Sequence, residues 1–203
     1  MAPEKSDVSR RNFLKTMGAT GVGVLAGATA KRTPEAHAEK GRKQQVPTRP
    51  FGKTDERVSI LALGGNGSRS DQLMMHQALK WGVTFWDVWD SDRHHGGGIP
   101  QKSVGQYFRK YPEARKKVFL MTKTDDRKPK ALTAFLDKAL SDMNVQTIDF
   151  FVIHSVSYIG RLHSKTRAWS ERAKSDGKIR YFGVSAHSRM EKVMKGAVVE
   201  NPI

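Results

Sequence analysis

The sequence predicts an α/β fold of about five β-α units, a parallel sheet with outer helices. Short apolar runs alternate with segments of helical period from residue 58 to residue 198. The runs are apolar nearly throughout, as parallel strands covered on both faces must be. Each run also stops at a polar or glycine position: Gly65, Asp87, Lys123, His154 and Ser185. Such alternation leaves two architectures open, a doubly wound sheet or an eight-fold barrel.

Taken in order, Arg49-Pro50-Phe51-Gly52-Lys53-Thr54 reads as a hairpin leading into a strand at 58–63. The five units then follow: strand 58–63 with a helix near 71–81, 84–87 with 101–110, 118–122 with 131–142, 149–153 with 161–175, and 180–185 with 189–198. The third helix shows its period best, with Leu132, Phe135, Leu136, Ala139 and Leu140 on one stripe. Gly82 and Gly177 fall just past helix ends, where a left-handed residue closes the last turn. Trp81, Trp86, Trp89 and Trp169 are expected in packing, with Trp89 placed to border a pocket. Asp149 opens its strand at the end away from the rim and is expected to fix a turn.

The N-terminal segment reads differently. Ser9 to Lys15 holds the adjacent Arg10 and Arg11, the weakly apolar run Thr16 to Ala30 follows, and Ala36-His37-Ala38 closes it. That order is the pattern of a twin-arginine export signal over residues 1–38. It implies the twin-arginine translocation machinery as a partner and a periplasmic or otherwise exported destination. Residues 39–48 are charged, lack periodicity and read as a linker; the folded domain is expected over 49–203. No stretch approaches the roughly 20 strongly apolar residues of a membrane span.

Composition narrows the chemistry. The chain carries a formal charge of +16. Residues 1–38 hold six Lys/Arg and three Asp/Glu, so the remaining 165 residues keep +13. Lys and Arg are scattered over polar helix faces and read as solvated surface rather than a nucleic-acid footprint. The absence of cysteine excludes a disulfide framework and thiolate-bound zinc or iron–sulfur clusters.

Three of the strand-end residues form a chemical set. Asp87, Lys123 and His154 are an acid, a base and an imidazole at successive strand ends, and parallel barrel strands converge at their C-terminal ends around one opening. The loop after the second strand, Asp90-Ser91-Asp92-Arg93-His94-His95, has metal-ligand residue types but reads as a polar loop, and no metal is expected. Gly64-Gly65-Asn66-Gly67-Ser68 lacks the GxGxxG dinucleotide spacing, so a tight turn and a ligand cradle at Gly65 stand equal.

The ordered set RPFGKTDERVSILALGGNG, FWDVW, VFLMTK, LSDMNVQTIDFFVIH and SDGKIRYFGVS resembles the aldo/keto reductase superfamily over about residues 49–203. The resemblance implies a partial (β/α)8 TIM barrel and an oxidoreductase that moves a hydride between NADPH and a small-molecule carbonyl substrate. It gives Asp87, Lys123 and His154 catalytic roles and places Gly65 and Ser185 at the cofactor.

The chain also departs from that family's pattern. Five positions beyond Asp87, where the resemblance places a tyrosine acid, stands Asp92, with His94 or His95 as a substitute donor. Ser185-Ala186-His187 replaces the usual Ser-Asn pair, so only Ser185 carries over. Five units are fewer than eight, and a (β/α)8 barrel typically needs about 250 residues. The chain is therefore expected to be the N-terminal part of a longer protein, with half of the NADPH site absent. The alternative is a degenerate, reductase-like barrel serving as a binding or assembly module.

Overall fold

The computed structural model describes residues 45–64, 71–90, 92, 98–161 and 164–197. The export-signal segment, Gly65, His94 and His95 lie outside the described residues.

A hairpin comes first. β1 (Thr48–Pro50) and β2 (Arg57–Ser59) pair antiparallel, with Arg49 opposite Val58. The turn between them is closed by Phe51 N–H donating to Glu56 O at 2.8 Å and by the Thr54 hydroxyl donating to Phe51 O at 2.7 Å. This divides the single strand expected at 58–63. Val58 belongs to the hairpin, and only β3 (Ala62–Leu63) joins the main sheet. Ser59 makes the division: its buried Oγ donates to Leu61 O at 2.6 Å and accepts the Thr84 and Phe85 amides at 3.0 Å. The chain bends where apolar alternation reads straight through.

Helix α1 (Asp71–Lys80), β4 (Phe85–Trp89), the two-residue β5 (Ile99–Pro100) and α2 (Gln101–Lys110) follow. Next come β6 (Phe119–Thr124), α3 (Pro129–Met143), β7 (Ile148–Ile153), α4 (Ser164–Ser175), β8 (Ile179–Val184) and α5 (Met190–Lys195). Helix α3 has Pro129 in its first turn, where no intrahelical N–H is needed. It ends at Asn144, whose φ of 54° lets its N–H reach back to the Leu140 and Ser141 carbonyls. Leu132, Phe135, Leu136 and Ala139 are buried along the expected stripe. Gly82 and Gly177 take φ of 78° and 70°, as the closing positions require.

The main sheet is parallel, in the order β3-β4-β6-β7-β8, with β5 paired to the end of β4. That order never reverses, whereas a doubly wound sheet has a switch point. Consecutive helices also touch, α1 with α2, α2 with α3, and α3 with α4, so they share one side of the sheet. Both facts select the barrel over the open sheet.

Register then decides what each face receives. Trp86, Leu120, Phe151 and Phe182 lie beneath the helices: Trp86 stacks on Phe108 of α2 at 5.8 Å, and Phe151 meets Phe135 of α3 and Trp169 of α4. Their chain neighbours face the concave side. There Phe85, Phe119, Phe150 and Tyr181 gather at the strands' N-terminal end, and Phe51 of the hairpin inserts among them with centroids 4.8–6.4 Å apart. The hairpin is a plug for the base of the barrel wall.

Asp149 binds more than a local turn. Its side chain is 6% exposed; it accepts Leu120 N–H at 2.8 Å and pairs with Arg115 at 2.8 Å and Arg180 at 2.9 Å, and Arg180 reaches on to Glu56. Four segments meet at this carboxylate. Of the tryptophans, Trp86, Trp89 and Trp169 are buried as expected, but Trp81 is 57% exposed. It sits in the turn after α1, where its carbonyl accepts Val46 N–H and its ring covers no core.

The tightest helix contact sets a measurable constraint. A Cβ on Gly105 would lie 1.9 Å from the Asp142 carbonyl oxygen, so α2 and α3 approach backbone to backbone there. Gly105→Ala is expected to cost about 1–3 kcal/mol or more despite its better helix propensity. Urea unfolding of the full chain measures this, and a neutral or stabilising effect would contradict the packing.

Candidate active site

Residues that alternate along β4, β6, β7 and β8 turn polar toward the C-terminal end of the concave face. Register places Asp87 beside Met121 and Lys123 beside Val152. Lys123 therefore stands one pleat beyond Asp87 and leans back to it. Its ammonium donates to both carboxylate oxygens, at 2.6 and 2.7 Å. Asp87 is not the last residue of its strand, as the apolar run implied; β4 continues to Trp89. The extension serves the pair. The Trp89 ring lies 5.2 Å from the Lys123 ammonium and covers it, leaving that side chain 9% exposed against 30% for Asp87.

His154 immediately follows β7, its N–H donating to Thr124 O at 2.8 Å as the ladder's last bond. The ring meets Trp89 edge to face at 5.3 Å, so one indole touches both Lys123 and His154. Nδ1 of His154 lies 2.9 Å from Ser185 Oγ, and Nε2 lies 3.2 Å from Nε2 of His187. The loops are locked by backbone bonds, Ser185 N–H to Ile153 O at 3.0 Å and Val156 N–H to Ser185 O at 2.7 Å. Burial lowers the His154 pKa from its ordinary value. The charge of Asp125 opposes the shift, Lys123 and His187 add to it, and Asp87 opposes it.

Four of the expected residues thus converge: Asp87, Lys123, His154 and Ser185. Asp92 does not join them. It pairs with Lys102 at 2.7 Å and Lys138 at 3.3 Å. Its carboxyl is held below the usual range chiefly by the bond to Lys102, then by Lys138, and Lys123 plays no part. Lys138 gathers Asp90, Asp92 and Asp142 about one ammonium. Burial pulls that ammonium's pKa down, but the three carboxylates outweigh it and hold the value above ordinary. Those acids lie close enough to share a cation, and the lysine already supplies one.

His187 was passed over as a functional group in the sequence. The available signal was its place two residues after Ser185, in the loop following the strand that pairs with β7. Two side chains that leave adjacent parallel strands at the same end stand side by side.

Comparison with known proteins places the chain. The model of the aldo/keto reductase family matches residues 62–201, more than half of the chain. An aldo-keto reductase from Bacillus halodurans in its holo form shares the fold with a TM-score of 0.65 at 22% identity, over 78% of this chain and 54% of that one. An aldo/keto reductase from Brucella melitensis gives a TM-score of 0.58 at 20% identity, over 77% and 59%. The chain spans little more than half the length of these structures. What it aligns with is the wall of a (β/α)8 barrel.

The ion pair yields an asymmetric prediction. Asp87→Asn strands an ammonium that is 9% exposed and is expected to cost about 3–5 kcal/mol. Lys123→Met leaves a carboxylate that water reaches and fills the slot beneath Trp89, for about half that loss. Urea titration of both variants decides; equal costs would mean that Lys123 is better hydrated than its burial implies.

Proposed function

This chain belongs to the aldo/keto reductase family, and on that premise we propose that it is part of an exported oxidoreductase transferring a hydride between NADPH and a small-molecule carbonyl substrate. The observation that carries this reading is the buried Asp87–Lys123 pair on the concave face, with His154 joined to it through Trp89.

Each residue has a task under this reading. The carbonyl oxygen gains negative charge as reduction proceeds, and a fixed ammonium at that point stabilises it without reorganisation. Asp87 and the Trp89 ring hold Lys123 in one rotamer. His154, neutral because burial lowers its pKa, borders the carbonyl position, and it turns a ring N–H to the substrate by giving up its contact with Ser185 or His187. NADPH, when bound, supplies the hydride. Among the described residues Ser185 fits its nicotinamide end, with a hydroxyl 2.9 Å from His154; Ala186 beside it has no amide to add. Gly65 is assigned to the same cofactor by resemblance.

The proton donor is not Asp92, whose carboxyl is depressed and bound to two lysines. His94 or His95 remains the proposed substitute. The apolar residues Ile60, Leu61 and Leu73 are exposed near β3, and Met190 and Met194 near β8, which supports further β-α units flanking both sides. If the reading is right, the complete protein oxidises NADPH with an aldehyde or ketone. Lys123→Met should lower turnover at least about a hundredfold with circular dichroism unchanged. Full activity in that variant would remove Lys123 from the chemistry.

Export follows from the paired arginines. Arg10→Lys with Arg11→Lys is expected to hold the protein in the cytoplasm, as cell fractionation reads; unchanged export would dismiss the twin-arginine reading.

A second reading has its own support. Asp92 at the tyrosine position, taken up by Lys102 and Lys138, and Ala186 at the amide position fit a barrel that has left hydride transfer for a binding or assembly role. NADPH fluorescence separates the two: no binding at millimolar cofactor leaves the module.

A further inference from the structure

His154 and His187 approach at their Nε2 atoms, 3.2 Å apart, with ring centroids at 4.8 Å and planes at 84°. A nitrogen–nitrogen contact this short is attractive only when one proton lies between the two atoms. The other ring nitrogen of His154, Nδ1, faces Ser185 Oγ at 2.9 Å. A hydroxyl both donates and accepts, so Ser185 adapts to whichever tautomer His154 takes.

Only two neutral arrangements satisfy all the contacts. In one, the Ser185 hydroxyl donates to Nδ1, and His154 Nε2–H donates to His187. In the other, His187 Nε2–H donates to His154, and His154 Nδ1–H donates to Ser185. The two differ by the passage of protons along one line, Ser185–His154–His187, whose outer member is exposed and whose inner members are half-buried. Backbone bonds between the two loops hold this line in place.

We infer that His187 is a positioning residue that couples its own tautomer to that of His154 and exchanges protons between it and solvent. The inference rests on the reductase reading for its use. Reduction of a carbonyl takes two electrons and one hydrogen nucleus as hydride from NADPH, forming the C–H bond and leaving NADP⁺, and one proton from water, forming the O–H bond. That proton must reach a face walled by Trp89, and the imidazole pair is a route to it beside the proposed donor His94 or His95. The charged groups around His154 are Asp87 on β4, Lys123 and Asp125 on and after β6, and His187 after β8, while Arg127 donates to the His154 carbonyl at 2.8 Å. Lys123 and Asp87 neutralise each other across β4 and β6.

The pair itself is tested by nitrogen-15 NMR of histidine-labelled full chain, titrated with acid. Wild type is expected to show coupled behaviour, His154 and His187 shifting together in two steps. His187→Ala and His187→Gln should each reduce this to one step, with His154 moving to higher pH as the repelling charge is lost. Glutamine retains a hydrogen-bond partner for His154 and cannot titrate, so it should keep His154 Nε2 hydrogen-bonded at neutral pH whereas alanine should not. A His154 titration identical in all three proteins would overturn the inference. Kinetics separate it from the reading it rests on. If NADPH is oxidised, both variants should lower kcat roughly tenfold and shift its pH profile at unchanged KM; a wild-type profile would sink the relay and leave the reductase standing. If no carbonyl supports NADPH oxidation while the coupled titration is seen, the reductase reading fails and the pair survives.

Discussion

A charged ammonium almost closed to solvent is the demand that organises this structure. Lys123 is costly where it lies unless it is paired and hydrogen-bonded, and Asp87 meets that demand with both oxygens. The two residues come from neighbouring strands, β4 and β6, and one is offset by a pleat from the other. A slip of one residue in either strand would send the partner beneath the helices, to the position of Trp86 or Thr122. The pair is therefore satisfied in one register only, and that register also sets Phe85 and Phe119 at the base and Trp89 at the rim. Specificity of alignment and the chemistry of the face come from the same contact.

Each end of the concave face is finished with different materials. At the base, aromatic rings close around Phe51, and the Asp149 carboxylate ties β6, β7 and β8 to the hairpin through Arg115 and Arg180. Among the described residues there, no buried side-chain N or O lacks a hydrogen-bond partner. At the rim, ladder bonds run out at His154 and Ser185, the loops begin, and side chains are held by one another instead of by the sheet. An apolar base beneath a polar rim is what lets parallel barrels place reactive groups at strand ends without endangering the core.

Much of this was legible in the sequence, for reasons that particular residues show. Asp87, Lys123 and His154 stood out because a charge or imidazole that interrupts an apolar strand must either be paired or face a cavity. The helix at 131–142 was legible from its period. The strand at 58–63 was not: its alternation is continuous, and the break at Ser59 depends on a hydroxyl bonding to residues 84 and 85, far along the chain. Trp81 misled because size alone suggested burial. Asp92 was expected beside Lys123 on the count from Asp87, yet two lysines that sequence spacing cannot bring together, Lys102 and Lys138, hold it elsewhere. His187 was missed because its partner lies on another loop, and only the parallel pairing of β7 with β8 makes them neighbours.

The disposition of charge around the face bears on what it can receive. Lys138 gathers Asp90, Asp92 and Asp142, so the acids that follow β4 are spent on a cation borne by α3 rather than turned toward Lys123. Had Asp92 reached the rim, Lys123 would have been shared between two carboxylates, and an approaching oxygen would have met net negative charge. With Asp92 diverted, one ammonium faces one carboxylate and the nearest imidazole is kept neutral by burial. The Lys123–Asp87 pair is then electroneutral yet strongly dipolar. Such a surface favours an uncharged, polarisable acceptor, because an anion would compete with Asp87 for Lys123. Under the proposed reading the acceptor is a carbonyl group, which gains its charge only as it reacts.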